Sequence, residues 1–155
     1  MERITKNLEE TQALASEWLS SLGGRVTKLG DKATIVGLSG DLGSGKTSFV
    51  QGVANALGIT DNVTSPTFIL ERIYKIVSSA NFQFPISNFQ KLIHIDAYRL
   101  DNASELKHLG FEELVQDPGN LILIEWPERV QEALPPDIQT LKFEFIDEST
   151  RRISF

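Results

Sequence analysis

Between residues 40 and 47 the chain reads Gly40-Asp41-Leu42-Gly43-Ser44-Gly45-Lys46-Thr47, which meets every position of the pattern Gly-x-x-x-x-Gly-Lys-Ser/Thr. The chemistry of that spacing is the cradling of phosphate. Glycines reach backbone angles closed to other residues, so successive N–H groups turn inward around anionic oxygens. Lys46 then reaches the β- and γ-phosphates of a nucleoside triphosphate, and the Thr47 hydroxyl ligates Mg²⁺. Asp41, Leu42, Gly43, Ser44, Gly45, Lys46, Thr47 and Ser48 form the expected nucleotide-contacting run.

Two carboxylates are spaced to complete such a site. Lys91-Leu92-Ile93-His94-Ile95-Asp96 and Leu121-Ile122-Leu123-Ile124-Glu125 are short apolar runs that each end in an acid. In open α/β sheets ligands gather at the C-terminal ends of the parallel strands. A strand ending there in a carboxylate is the Walker B arrangement, in which an aspartate helps hold Mg²⁺. Asp96 is the first choice for that role, with a helix N-cap or a surface carboxylate as its structural alternatives. Glu125 is expected to hold Mg²⁺ indirectly or to orient the attacking water, with a sheet-end carboxylate in a salt bridge as its structural alternative. His94 precedes Asp96 by two and shares its strand face; as a lone histidine it reads as packing and is left out of the site. Thr67, in Ser65-Pro66-Thr67-Phe68, reads either as a switch-loop residue that senses the γ-phosphate or as a capping threonine. Trp126 reads either as core or as a group that stacks at the phosphate site or binds a partner. No Asn-Lys-x-Asp occurs and Asp96-Ala97-Tyr98-Arg99 lacks the glycine of Asp-x-x-Gly, so ATP rather than GTP is the expected nucleotide.

The phosphate motif functions only between a strand and a helix, and both flanks are present. Ala33 to Leu38 is a β-branched apolar run, as a buried parallel strand requires. Lys46 to Leu57 places Phe49, Val50, Val53, Ala54 and Leu57 at helical spacing, with Gly58 as its C′ residue. Upstream, Asn7 to Leu22 reads as an amphipathic helix with Leu8, Thr11, Ala15, Trp18, Leu19 and Leu22 on one stripe, opened by Asn7 and Glu10 and closed by Gly23-Gly24. Ile69 to Tyr74 reads as extended, and Ile76 to Gln90 is a run without charge. Ala103 to Val115 reads as helical with a break at Gly110, and Glu128 to Leu134 as a short helix stopped by Pro135-Pro136. Thr140 to Ile146 alternates and turns at 147–150 into a pairing strand, Arg151 to Phe155. Strands alternating with helices predict an α/β fold of P-loop NTPase type: three layers, a mainly parallel central sheet and antiparallel edge strands, in one domain over residues 1–155.

Composition narrows the function classes. The chain has 155 residues, 41% hydrophobic and 23% charged, with net charge −6. An acidic chain without clustered Lys and Arg is a poor stand-alone nucleic-acid binder. Cysteine is absent, which removes disulfides, thiolate metal sites and thiol nucleophiles. No apolar run approaches the roughly 20 residues of a membrane span, and no apolar signal core follows Met1. A cytoplasmic location is the expectation.

Taken in order, the phosphate motif, Ser65-Pro66-Thr67-Phe68, His94-Ile95-Asp96-Ala97-Tyr98-Arg99-Leu100 and Glu125-Trp126-Pro127-Glu128 resemble the bacterial ATPase family of tRNA threonylcarbamoyladenosine biosynthesis. The resemblance covers nearly the whole chain. It implies a small ATPase that acts with two partner proteins of actin-like fold while an adenosine beside the tRNA anticodon is modified, with tRNA contacted indirectly or only in the complex. It also implies that Lys46 and Thr47 bind phosphate and Mg²⁺, that Asp96 is the Walker B acid, that Glu125 and Trp126 complete the site, and that Thr67 is the switch-loop residue. No arginine occupies an obvious finger position, Arg99 being a weak candidate, so turnover is expected to depend on partners. A small-metabolite kinase and a nucleotide-binding regulator without useful turnover are the competing classes.

Overall fold

The computed structural model describes residues 1–25, 31–65, 70–77 and 89–155. Among the described residues seven strands form one sheet: β1 (Glu2–Thr5), β2 (Thr34–Ser39), β3 (Glu71–Lys75), β4 (Lys91–Asp96), β5 (Asn120–Glu125), β6 (Gln139–Phe145) and β7 (Arg151–Ser154). Their order is β1-β7-β6-β2-β5-β4-β3. The centre, β6-β2-β5-β4, is parallel, and β3, β7 and β1 add antiparallel edges. This is the α/β architecture predicted above, of P-loop NTPase type. The strands that carry the two acids, β4 and β5, lie side by side, with Asp96 in register with Glu125.

Alternation along the central strands sends side chains into two cores. On one face Val36, Leu38, Leu92, Leu121 and Leu123 meet helices α1 (Leu8–Arg25) and α2 (Lys46–Ala56). On the other, Ile35, Ile93, Ile95, Ile122 and Ile124 meet Leu106, Phe111 and Val130. Those last residues come from a 3₁₀ turn (Ala103–Leu109), helix α3 (Phe111–Gln116) and the stretch after Trp126. Burial on both sides explains why β4 and β5 read as continuous apolar runs.

The packing of α2 fixes where its N-terminus points. Phe49 is fully buried and meets Trp18 of α1 and Phe143 of β6 edge-on, each at 5.4 Å between ring centroids. Truncating such a side chain to alanine typically costs about 3–5 kcal/mol. Close approach of the helices needs Gly52, because a Cβ there would lie 2.7 Å from the Gln12 Cα and 2.8 Å from the Ala15 Cβ.

Several predicted elements differ in detail. Helix α1 continues through Gly23 and Gly24 to Arg25; glycine permits a helix end without compelling one. The 103–115 segment divides at Gly110 as expected, but its first half is 3₁₀, capped by Asn102. The helix expected over Glu128–Leu134 is instead two 3₁₀ turns, Pro127–Arg129 and Gln131–Ala133. Val130 between them is fully buried at φ −130°, so placing its side chain in the core overrides helical continuity. Strand β1 had no local signal. Within the uncharged Ile76–Gln90 run, residues 78–88 lie outside the described residues, and the Ile76 N–H donates to the Gln90 carbonyl at 2.9 Å.

Candidate active site

The phosphate motif leaves β2 and enters α2, the strand–loop–helix context its chemistry requires. Gly40 has φ 148°, and a Cβ there would collide with the Phe143 carbonyl and lie 2.9 Å from the Ser44 hydroxyl. The loop thus turns against β6 at a point only glycine can occupy. Gly45 is the N-cap of α2 in the left-handed region, and no side chain caps the helix. Among the described residues no N-cap side chain takes up the first-turn N–H groups of α2, the arrangement in which a helix end can accept an anion.

Lys46 folds back over the loop. Its Nζ donates to the Gly40 carbonyl at 2.5 Å and the Asp41 carbonyl at 2.9 Å, and sits 4.7 Å from the Trp126 ring centroid. Burial holds its pKa below the usual lysine value, while the carboxylates of Glu125, Asp96, Glu128 and Asp41 pull it back up. A buried ammonium facing carbonyl oxygens, acids and a π-face is held where an anionic oxygen would be its best partner.

The acids meet the loop from the neighbouring strands. Thr47 Oγ1 donates to Glu125 Oε1 at 3.1 Å, so the predicted metal-binding hydroxyl and the β5 acid are in direct contact. Asp96 Oδ1 accepts the Tyr98 N–H at 2.9 Å, and Oδ2 lies 3.3 Å from Ser65 Oγ. Asp96 therefore caps the turn that follows β4, not a helix, since the next helical element is capped by Asn102, and it also faces the cleft. Trp126 adopts φ 60°, ψ 50°, a left-handed conformation that costs a non-glycine residue about 1–3 kcal/mol. Its N–H donates to the Leu38 carbonyl at 3.1 Å, and its ring packs on Tyr98 at 5.1 Å.

Leu42, Gly43, Gly45, Lys46, Thr47, Ser48, Asp96, Glu125 and Trp126 line one cleft of about 460 Å³. Ser44 is fully buried, and its N–H donates to the Asp41 carbonyl at 3.1 Å; neither residue is part of the lining. Thr67 lies outside the described residues, although Ser65, two positions earlier, lines the cleft.

Sequence reasoning missed several contributors, among them Glu148 and Ser149 of the β6–β7 turn, which line the cleft. His94, set aside as packing, is fully buried and places Nε2 2.8 Å from Glu125 Oε1. Its two-residue spacing from Asp96 was the available signal. Arg151, from the last strand, lines the cleft and donates from Nε to the Gly43 carbonyl at 3.0 Å. The same guanidinium donates from Nη1 to the Asp147 and Thr150 carbonyls at 2.6 and 2.9 Å, so it clamps the loop tip to the β6–β7 turn. Arg99 is exposed and is not part of the cleft lining. The start of α1 supplies Asn7, Leu8 and Thr11 to the mouth, which explains why Leu8 is half exposed although it falls on the apolar stripe.

The model of the family described as "Threonylcarbamoyl adenosine biosynthesis protein TsaE" matches residues 5–153 of the chain. The chain belongs to the TsaE family. A tRNA threonylcarbamoyladenosine biosynthesis protein TsaE from Rickettsia felis is 40% identical over 152 residues, covering 97% of this chain and 77% of the relative. The protein of the same name from Bacillus subtilis is 35% identical over 151 residues, covering 97% and 82%. Among solved structures, that of Bacillus subtilis YdiB superposes with a TM-score of 0.68 at 28% identity, over 99% of this chain and 82% of the other. The TsaE resemblance read from the four motifs is thereby established, and with it a place in tRNA threonylcarbamoyladenosine biosynthesis. Among the described residues no helix is long and apolar enough to cross a membrane.

Proposed function

We propose that this TsaE-family chain binds ATP with Mg²⁺ in the cleft and hydrolyses it slowly, in support of threonylcarbamoyladenosine formation on tRNA. One observation carries the nucleotide reading: the Thr47 hydroxyl of the phosphate loop is hydrogen-bonded to Glu125, whose neighbour in register is Asp96. Phosphate cradle and acids converge at one sheet end.

The donor set fits the cofactor. Thr47, Asp96 and Glu125 offer hard oxygens, which suit Mg²⁺. Among the described residues no three His, Cys, Asp or Glu side chains form a metal cluster of their own. That agrees with a cation held by one or two carboxylates together with the nucleotide's phosphates. When bound, Mg²⁺ would neutralise charge on the β- and γ-oxygens. Backbone N–H groups at the start of α2 and Lys46 would hold the same phosphates, and Glu125 would orient the water that attacks the γ-phosphorus as its bond to the ADP oxygen breaks. Trp126 would move when Lys46 leaves its ring for phosphate.

Slow turnover follows from the positive charge available. Arg151 donates from Nε and Nη1 to backbone carbonyls, so it is already engaged as a clamp. Charge to stabilise the γ-phosphate in transit would come from the two actin-like-fold partners, and Thr67 would sense the γ-phosphate. Cytoplasmic location and indirect contact with tRNA belong to the same reading.

Multiple-turnover tRNA modification tests it, with wild-type chain and Lys46→Ala compared in the presence of the partners and threonylcarbamoyl-adenylate supply. Wild type should sustain repeated rounds, and Lys46→Ala should stop near one. Equal product from both would refute the proposal. A small molecule phosphorylated by ATP would favour a kinase, and ATP binding without hydrolysis even with partners would favour a regulator.

A further inference from the structure

We propose that His94 is the positioning residue that decides which oxygen of Glu125 faces the bound cation and water. The inference rests on the nucleotide reading above and assigns a role to a residue that this reading leaves without one.

Both side-chain hydrogen bonds described for Glu125 end on the same atom. Thr47 Oγ1 reaches Oε1 at 3.1 Å, and His94 Nε2 reaches Oε1 at 2.8 Å. An ionised carboxylate only accepts hydrogen bonds, so in that state of Glu125 the ring hydrogen is on Nε2. Nδ1 is buried and has no partner among the described residues; the imidazole's hydrogen bonding is therefore directed at Glu125. His94 itself is fully enclosed, on β4 between β3 and β5, and cannot swing away without opening the core. It is a fixed donor, unlike a water or a surface side chain.

Two donors on Oε1 occupy that oxygen and fix the plane of the carboxylate. Oε2 is then the oxygen free to accept from a cation-bound or attacking water. Without His94, the side-chain hydrogen bond left to Glu125 among the described residues is that of the rotatable Thr47 hydroxyl, and either oxygen can turn toward the cleft. Partners that orient a metal-site group in this way typically govern metal affinity or activity by about 10–100-fold.

The test uses the full chain and ATP carrying a fluorescent ribose label, titrated with Mg²⁺ and separately in EDTA, alongside turnover of ATP with partners present. Three variants separate donor from packing. His94→Leu fills the site without a donor. His94→Gln carries an amide nitrogen at the same bond distance from Cα as Nε2. His94→Asn stops one bond short. The expected result is a rise of about tenfold or more in half-saturating Mg²⁺ for His94→Leu and His94→Asn, with labelled-ATP affinity in EDTA kept within about twofold. His94→Gln should return to within about threefold of wild type, and kcat should follow the same order.

Wild-type Mg²⁺ dependence in His94→Leu would overturn the proposal. So would equal shifts in His94→Gln and His94→Asn, which would reduce His94 to packing. If His94→Leu does not fold, the Gln–Asn pair decides alone. A wild-type chain that binds no labelled ATP at any Mg²⁺ concentration would instead overturn the nucleotide reading, and this proposal with it.

Discussion

Lys46 and Glu125 are two buried charged residues at the same end of the sheet, held in opposite ways. The hydrogen-bond partners of Lys46 lie six, five and two residues away in sequence. Those of Glu125 lie 78 and 31 residues away. The phosphate loop is therefore a local device that brings its own partners. The acid is placed only when β4, β5 and α2 are assembled. The lysine's contacts come with the loop's own residues, whereas the acid's geometry is a property of this sheet. Mutations on the two sides should fail differently: loss of the lysine should remove chemistry and leave the fold, while loss of the acid should remove both.

The largest expected effect is that of Glu125→Ala. It deletes an acid from the cleft and leaves a fully buried His94 Nε2 without its acceptor, which should cost about 2–4 kcal/mol of stability together with the activity. Lys46→Ala should melt within a few degrees of wild type while losing turnover. Denaturant unfolding of both variants checks the contrast, and equal stabilities would erase it.

Asp96→Asn comes next and refines the comparison within the acid side. The amide can still accept the Tyr98 N–H through Oδ1, so the turn after β4 should survive. The charge facing Mg²⁺ would be gone, and turnover should fall by about a hundredfold with metal-free nucleotide binding little changed. A rate within twofold of wild type, with unaltered Mg²⁺ dependence, would transfer the Walker B role to Glu125.

The smallest effect is a slope. Burial lowers the pKa of Lys46 in the folded chain, so between that lowered value and the unfolded one near 10.5 the unfolded chain binds more protons. Stability from this group should therefore rise with pH across that window, and below it the full cost of burying the ammonium is present. In Lys46→Met this contribution should vanish, and the stability of the variant relative to wild type should decline as pH climbs toward 10.5. A difference constant from pH 7 to 10.5 would show that Lys46 keeps its proton in the fold as readily as in the unfolded chain.

Much of the positioning frame could be read from local pattern. Strands β4 and β5 were expected over Lys91–Asp96 and Leu121–Glu125, and α2 ends at Ala56, with Leu57 as its C-cap and Gly58 at φ 74°, because apolar runs and helical spacing act within a few residues of themselves. Strand β1 gave no such signal. Of Glu2–Thr5 only Thr5 is buried, and the strand exists through its pairing with β7 at the other end of the chain. Arg151 escaped notice for the same reason: its contact with Gly43 spans 108 residues.

The amino-acid sequence alone determined the phosphate loop, the strand ends that carry Asp96 and Glu125, the α/β class and the resemblance to the TsaE family. Each rests on spacing within a short segment, where backbone geometry converts residue order directly into side-chain direction. Tertiary structure alone decided that Glu125 rather than Asp96 meets Thr47, that His94 belongs to the site, that Arg151 clamps the loop, and that Glu128–Leu134 breaks at Val130. Those outcomes depend on which strand lies beside which and on what the core must enclose. That is a competition among contacts distant in the chain, and it is settled only when the sheet and its helices pack together.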